Sequence, residues 1–489
     1  MPAFRSIYTD YILFPVLVLL TASFPLPIAY NSVFTILLFV VFIMDLNNIK
    51  NNLRVYLSNP RNILLLAILL SLTLSMVYSE DKKLAIKGIL TALPLFSLPL
   101  AMTTASKLSV RQIAILKKVF VFSCLITSMI YFIQTGIRIG LFDGSYKFKP
   151  VSTAYQSSYL VYNLTYHHLT PSIHAVFFSL YIAFAVFVVL FDFQWKIRLS
   201  KILQGAMVLY FLLYLILLTS ATINFACYSF IIATIFFKYS FKELWHYLLF
   251  FGLIIIGTAI TVYLLIVKYI GPDIGDIVYR FDSPSINQKI LLSYVAVILT
   301  GAAAIIIKLT ARKNYKLVVG CSLLVAAFAG LIYLTQATGN RNSSDRKLNN
   351  ISVRANYSSE AIRIIKKDPL FGVGIGDKKY KLIDRDLTLG DDRYIEFGTD
   401  SKPDGLFNAH NQFLDLWITA GIIPVLCLLL FFINEFSKVL RYRHVLYLGL
   451  LYCFCLFCFT DMAMMVQRGV VFFLFFICLF ENEAKRKIK

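Results

Sequence analysis

Residues 174–191 have the sequence His174-Ala-Val-Phe-Phe-Ser-Leu-Tyr-Ile-Ala-Phe-Ala-Val-Phe-Val-Val-Leu-Phe191, without an acidic or basic charge. Because a straight helix needs about 20 apolar residues to cross a bilayer, this stretch predicts a membrane-spanning helix. Similar stretches recur along the chain, which has 489 residues, 59% of them hydrophobic and 15% charged. The mean hydropathy is +0.74. The sequence predicts an all-α, polytopic membrane protein of roughly 12–14 transmembrane helices, and excludes a soluble enzyme, a disordered tail and a nucleic-acid-binding domain.

Basic residues lie between the apolar stretches and give the chain a formal net charge of +21. If the N-terminus is cytoplasmic, the short inner loops hold far more lysine and arginine than the short outer loops, as the positive-inside rule requires. These inner residues include Lys50, Arg61, Lys438 and the tail that begins at Lys485. We therefore predict that both termini are cytoplasmic.

Two longer segments then lie outside, at about 135–173 and at 336–409. The predicted organisation is a set of helices over 1–335, a long outer loop over 336–409, and further helices with a basic tail over 410–489. Within the long loop, apolar residues at helical spacing predict an amphipathic helix from Arg354 to Lys367, which Asp368-Pro369 ends. A flexible turn with three glycines follows, but no Gly-Lys-Ser/Thr accompanies it, so this is not an ATP-type phosphate loop.

His410 and Asn411 lie where the long loop re-enters the membrane, and Asp415 lies one helical turn further on. Histidine has an ordinary pKa of about 6.5 and can accept a proton from a hydroxyl group. The alternative is an interfacial histidine that only caps or anchors the helix, and composition alone favours this alternative.

Arg354 opens the predicted loop helix. A guanidinium group offers a planar fork that matches phosphate oxygens. The alternative is one charged residue of a solvated helix face, and composition alone again favours the alternative.

Other polar residues carry weaker signals. Tyr166-His167-His168 and His174 suggest a zinc site, but no nearby carboxylate or cysteine completes one, so we expect interfacial anchoring and no metal. The eight cysteines lie in apolar stretches and are interpreted as packing residues. Asp461 and Arg468 lie in the last outer turn, where Asp461 pairs either with Arg468 or with a basic group of the long loop.

Several of these segments resemble one family. Arg354 precedes the sequence Asp368-Pro-Leu-Phe-Gly-Val-Gly-Ile-Gly376, and His410-Asn411 is followed after nine residues by Gly421. This pattern resembles the outer-loop signature and the His-Asn motif of the O-antigen ligase and O-antigen polymerase superfamily. The last hairpin, with Asp461 and Gln467-Arg468-Gly469, is similar to O-antigen-ligase-like proteins, particularly those of Bacteroidetes. His174 with Phe178-Ser-Leu-Tyr181 is a weaker match.

The resemblance implies a C-type glycosyltransferase architecture in the bacterial inner membrane, with its active site facing the periplasm. Such enzymes transfer a glycan from undecaprenyl pyrophosphate to an acceptor hydroxyl, here lipid A-core, with inversion and without a cofactor, metal or nucleotide sugar. By the same resemblance, His410 is the catalytic base and Arg354 binds the pyrophosphate. Asn411, Asp415, Asp461 and Arg468 are then expected to bind substrate.

Many family members also have a basic residue at the short outer turn before the eighth span. Here that turn is Thr219-Ser-Ala-Thr222, without a basic residue. The second phosphate-binding cation is therefore either absent or supplied from elsewhere, and the candidates are Arg138, Lys147, Lys149 and Arg280.

Other functions remain open at this point. Within the superfamily the alternatives are a repeat-unit polymerase and a protein O-oligosaccharyltransferase. Outside it, the alternative is a polysaccharide flippase or another transporter. A transporter is expected to show internal pseudo-symmetry and charged residues along a central cavity, whereas the intramembrane ionisable residues of this chain are few and cluster at the outer face.

Overall fold

The computed structural model describes residues 8–45, 48–138, 169–193, 198–238, 350–378 and 409–488, in which the regular secondary structure is helical and no strand occurs. The all-α fold class is thereby confirmed. A short π-helical segment, Tyr8–Leu13, precedes α1, and a 3₁₀ turn, Thr104–Lys107, follows α6. The described helices are α1 (Phe14–Ser23), α2 (Ile28–Met44), α3 (Ile49–Leu57), α4 (Pro60–Tyr78), α5 (Lys82–Ala92), α6 (Pro94–Ala101), α7 (Val110–Arg138), α8 (Ala175–Phe191), α9 (Arg198–Leu217), α10 (Ala221–Lys238), α11 (Asn350–Lys367), α12 (Gln412–Ala420), α13 (Ile422–Tyr442), α14 (Val445–Thr460) and α15 (Gln467–Ile488).

Four segments of the described chain are long and apolar enough to cross a membrane: α4, the stretch Lys82–Lys107, α7 and α13. A fifth is obtained if α2 and α3, which meet at a bend of 118°, form one broken span. Further apolar helices, including α8 and α14, are shorter. The total of 12–14 spans stays a prediction, because residues 239–349 lie outside the described part.

The chain divides into two compact units. Unit A comprises residues 1–13, 35–108 and 328–489, and unit B comprises residues 14–34 and 109–327. The boundaries predicted at 335/336 and 409/410 stay predictions.

In unit B, α8 is the central helix, and almost all of its side chains are buried against α7, α9 and α10. Aromatic rings dominate this core, as in the contact between Phe187 of α8 and Phe230 of α10, whose centroids lie 4.8 Å apart. His174 caps α8, because its Nδ1 accepts a hydrogen bond from the N–H of Val176 at 3.4 Å. The opening stretch thus forms a helix with His174 at its start, and at 17 residues this helix is shorter than the candidate membrane spans, so its crossing of the membrane stays a prediction.

In unit A, α4 and α13 pack side by side along their lengths. Asn59 caps α4 through its side chain, and Pro60 occupies the first helical position, where a missing N–H is harmless. The Nζ of Lys438, late in α13, donates to Oδ1 of Asn59 at 3.0 Å, so the two helices run antiparallel. We call the end of the pair at which α4 begins the Arg61 end, and the end with Tyr78, Gly421 and α12 the His410 end.

One predicted span is interrupted. The sequence from Asn411 to Ile433 is predominantly apolar and long enough for a single spanning helix, but it divides into α12 and α13 at Gly421. Gly421 has φ = +78°, a conformation that glycine adopts without strain and that ends a helix.

Candidate active site at the His410 end

Asn411 fixes the start of α12. Its Oδ1 accepts hydrogen bonds from the N–H groups of Phe413 at 2.9 Å and Leu414 at 3.1 Å, the pattern of a helix N-cap. Its Nδ2 donates to the carbonyl oxygen of Phe459 at 3.2 Å, near the end of α14. The capping role that sequence analysis considered for His410 therefore belongs to Asn411.

His410 lies just before this cap in an unusual backbone conformation. Its φ is +43°, in the left-handed region that few residues other than glycine adopt. Such strain is found at functional sites, where the surrounding structure holds it in place. The His410 side chain is 27% exposed, so the imidazole is accessible at the surface of unit A.

Asp461 is the carboxylate that faces His410. The Nδ1 of His410 lies 4.0 Å from Oδ1 of Asp461, which also accepts a hydrogen bond from the N–H of Met462 at 2.8 Å. This separation is too long for a direct hydrogen bond, but a carboxylate at this distance stabilises a protonated imidazole. The arrangement of His410 and Asp461 therefore suits a histidine that acts as a base and gains a proton.

Asp415 has a partner that sequence analysis missed. Its Oδ2 lies 2.7 Å from Nζ of Lys378, and the side chains are 1% and 11% exposed, respectively. Lys378 follows the last glycine of the turn by two residues, but nothing in the pattern of the sequence joins it to a residue 37 positions away. This buried ion pair attaches α12 to the residue that follows the glycine turn, and the substrate-binding role expected of Asp415 stays a prediction.

The glycine turn is attached to α12 through backbone hydrogen bonds. The N–H of Val373 donates to the carbonyl oxygen of Ile418 at 2.7 Å, and that of Gly374 donates to Thr419 at 3.1 Å. Gly372 has φ = +69°, and a side chain there would collide with the carbonyl of Ile418. The structure thus differs from the flexible turn expected from the sequence, because these contacts hold its backbone in one conformation.

The same turn contacts α4 and the start of α5. The N–H groups of Ile375 and Gly376 donate to the hydroxyls of Ser75 and Ser79 at 3.2 and 3.1 Å. The carboxylate of Asp377 accepts from the N–H groups of Glu80 and Asp81 at 2.8 and 3.0 Å, at the positive end of the α5 dipole. The glycine motif therefore joins the loop to both α12 and α4.

The predicted loop helix is present as α11 and ends at Lys367, where Asp368-Pro369 predicted, but it begins at Asn350, four residues before the predicted start at Arg354. Its apolar face, with Ala361, Ile364 and Ile365, packs against Ala409 and Ile418. Arg354 lies in the second turn of α11. The helix that carries Arg354 thus packs against Ala409, which directly precedes His410, and against α12.

The structure gives less information about the remaining predicted site residues. Arg468 is buried in the first turn of α15, and Arg138 is the last residue of α7 in unit B. Lys147, Lys149, Arg280 and Tyr166-His167-His168 lie outside the described residues. Across the part of the chain that the structure describes, no three His, Cys, Asp or Glu side chains form a metal-binding group.

The segment that contains this site matches a known protein family. A family model described as O-antigen ligase matches residues 291–429, a segment that holds α11, the glycine turn, His410 and α12. No curated protein matches the chain, and the predicted closeness to Bacteroidetes proteins stays a prediction. The match agrees with the motifs at Arg354 and His410-Asn411, and over residues 291–429 the chain is similar to the O-antigen ligase family.

Proposed function

We propose that the protein is an O-antigen ligase-like glycosyltransferase that transfers a glycan from undecaprenyl pyrophosphate to a hydroxyl of lipid A-core. The observation that carries this proposal is the O-antigen ligase match over 291–429, which includes both Arg354 and His410. The contact between His410 and Asp461 supports it, because that geometry suits a catalytic base. In this proposal the reaction occurs at the periplasmic face of the bacterial inner membrane.

His410 acts on the acceptor. Its imidazole takes the proton from the acceptor hydroxyl while the hydroxyl oxygen attacks the anomeric carbon of the glycan. The bond from that carbon to the pyrophosphate oxygen breaks, and the oxygen keeps the electron pair. Direct attack inverts the anomeric configuration, and the carboxylate of Asp461 stabilises the imidazolium that forms.

Arg354 acts on the donor. Its guanidinium binds the pyrophosphate, on which negative charge grows as the bond breaks, and stabilising developing charge is usually the largest contribution to such catalysis. Asn411, Asp415 and Arg468 are proposed to complete the substrate site, and the roles expected of Arg138 and Arg280 stay predictions. Because the pyrophosphate linkage is already activated, the reaction needs no nucleotide, metal or other cofactor.

The first test is the lipopolysaccharide profile of a deletion strain of the native host, on a silver-stained gel. A ligase predicts loss of all long-chain bands and accumulation of polymerised glycan on undecaprenyl pyrophosphate. Core that carries a single repeat unit identifies a polymerase instead. An unchanged profile contradicts the lipid A-core acceptor and directs the search to protein or another glycan.

The second test complements that strain with Arg354→Ala and Arg363→Ala. Arg363 is a matched control on the same helix, 41% exposed and paired with Glu360 one turn earlier. We expect Arg354→Ala to fail and Arg363→Ala to restore the bands, at equal amounts of membrane-inserted protein. Restoration by both variants removes Arg354 from the mechanism.

A further inference from the structure

A polar cleft opens at the Arg61 end, far from the candidate active site. Its volume is about 240 Å³, and its polar lining includes Asn59, Arg61, Lys438, Tyr442, Glu481 and Lys485. Because α4 has 19 residues, the cleft lies roughly 28 Å from the His410 end at 1.5 Å per residue. This is close to the thickness of the hydrocarbon core, about 30 Å. If α4 spans the bilayer with the His410 end at one surface, the cleft lies at the headgroup level of the opposite leaflet.

The charged side chains of the cleft are held by one another. Arg61, only 5% exposed, lies 2.7 Å from Glu481, and Lys438 lies 2.8 Å from Glu435. Asn59 joins the two pairs, since its Oδ1 accepts from Lys438 and its Nδ2 donates to Glu481. Lys485 lies at the opening of the cleft, 52% exposed and 2.8 Å from Glu481.

Glu481 is ionised in this environment. It follows the apolar run of α15, which ends at Phe480. Burial acts to raise the pKa of its carboxyl group, but Arg61, Lys438 and Lys485 outweigh burial and hold the pKa well below its usual range.

The charges of the cleft do not balance. Three cations, Arg61, Lys438 and Lys485, face two carboxylates, Glu435 and Glu481. One positive charge is left over, and it is best assigned to the most exposed cation, Lys485. A ligand with a single negative charge would neutralise it.

We propose that this cleft binds the headgroup of an anionic membrane phospholipid, through its singly charged phosphodiester. The phosphodiester accepts hydrogen bonds from Lys485 at the opening, and its single charge completes the balance of the cluster. Apolar lining from Val55, Pro99 and Met102 suits the glycerol and the first carbons of the acyl chains. Basic pockets between membrane helices are an established type of lipid headgroup site, and the predicted cytoplasmic side of Lys438 and Lys485 assigns this one to the inner leaflet.

The test titrates the purified full-length protein with dioctanoyl phosphatidylglycerol and measures bound lipid by native mass spectrometry. Dioctanoyl phosphatidylcholine has the same phosphate but no net charge, and deacylated phosphatidylglycerol has the same headgroup without acyl chains. Lys485→Gln removes the exposed cation with little risk to folding. Lys50→Gln is the matched control, since Lys50 is an exposed lysine on the same predicted side and does not line the cleft.

We expect phosphatidylglycerol to bind more tightly than phosphatidylcholine, and Lys485→Gln to weaken its binding roughly fivefold, the effect of one lysine near an anionic lipid. Lys50→Gln is expected to bind like the wild type. Equal affinity of wild type and Lys485→Gln, or of the two lipids, overturns the proposal. Equally tight binding of the deacylated headgroup also overturns it, because the ligand is then a soluble phosphodiester.

Discussion

The two ends of the α4–α13 pair are held together by different kinds of contact. At the His410 end, main-chain groups of the glycine turn bond to the backbone of α12 and to two serine hydroxyls of α4, beside a single buried ion pair between Lys378 and Asp415. At the Arg61 end, charged side chains from α4, α13 and α15 pair with one another. Backbone contacts leave neighbouring side chains such as His410 available for chemistry, whereas the buried ion pairs occupy Arg61 and Lys438 and leave Lys485 half exposed.

The two kinds of contact also differ in how they fail. A backbone contact depends on an exact conformation, so one added side chain disrupts it. The ion-pair cluster has three cations and two carboxylates, so the loss of one exposed member leaves the others paired. The following variants test this difference.

Gly421→Ala is expected to have the largest effect. A side chain at φ = +78° is strained, and its Cβ would collide with the carbonyl of Leu370 in the glycine turn. We expect a loss of more than about 4 kcal/mol of stability, together with all transfer activity. Thermal unfolding of the purified protein measures the first effect.

Gly205→Ala is the control for this variant. Gly205 lies within α9, where a new Cβ meets nothing within 4 Å. Alanine there should stabilise the helix by about 0.5–1 kcal/mol. If Gly421→Ala is as harmless as Gly205→Ala, the backbone contact does not hold the His410 end.

Lys378→Met is expected to cost about 3 kcal/mol, because it leaves the buried carboxylate of Asp415 without its cation. The double variant Lys378→Met/Asp415→Leu removes both charges and should recover much of the stability. Denaturant or thermal unfolding compares the three proteins. A double variant less stable than Lys378→Met would contradict the role of this pair as a buried ion pair.

Glu481→Gln tests the Arg61 end through pH. A carboxyl group whose pKa is lowered by folding stabilises the protein above its ordinary value of 4.5, and this contribution is lost as the pH falls through the lowered pKa. The wild type should therefore be more stable than Glu481→Gln at pH 7 by a margin that persists to pH 5 and shrinks below 4.5. Glu80→Gln, at an exposed glutamate, should show little difference at either pH. A margin that grows on acidification would contradict the assignment.

Lys485→Gln is expected to have the smallest effect on stability, within about 0.5 kcal/mol, because its pair with Glu481 is half exposed. Unfolding without added lipid measures this effect. A loss comparable to that of Lys378→Met would show that the cluster at the Arg61 end has no spare cation.

Local patterns predicted much of the fold. The uncharged run at 174–191 and the helical spacing of Ala361, Ile364 and Ile365 predicted α8 and α11, because hydrophobic periodicity reflects burial directly. Asp368-Pro369 predicted the end of α11 for an equally local reason. The break at Gly421 was missed, because a glycine within an apolar run does not reveal its backbone angle.

The candidate site was predicted in part. His410 and Asn411 were identified from a motif, but the division of roles between them depends on which side chain caps α12. Two pairs were not predicted: Asp461 with His410, and Lys378 with Asp415. Each pair forms because segments distant in the sequence pack together. Arg61 was predicted as a loop charge and is buried, because Glu481, 420 residues later, supplies its counter-ion.

Glycan transfer by the purified protein in proteoliposomes measures whether His410 is the catalytic base. Undecaprenyl-pyrophosphate-linked glycan is the donor and lipid A-core the acceptor, and His410→Ala is compared with the wild type at equal thermal stability. The account predicts that His410→Ala slows transfer by roughly 10²-fold or more without weakening retention of the donor. Transfer at the wild-type rate by a folded His410→Ala protein would contradict the claim that His410 is the catalytic base.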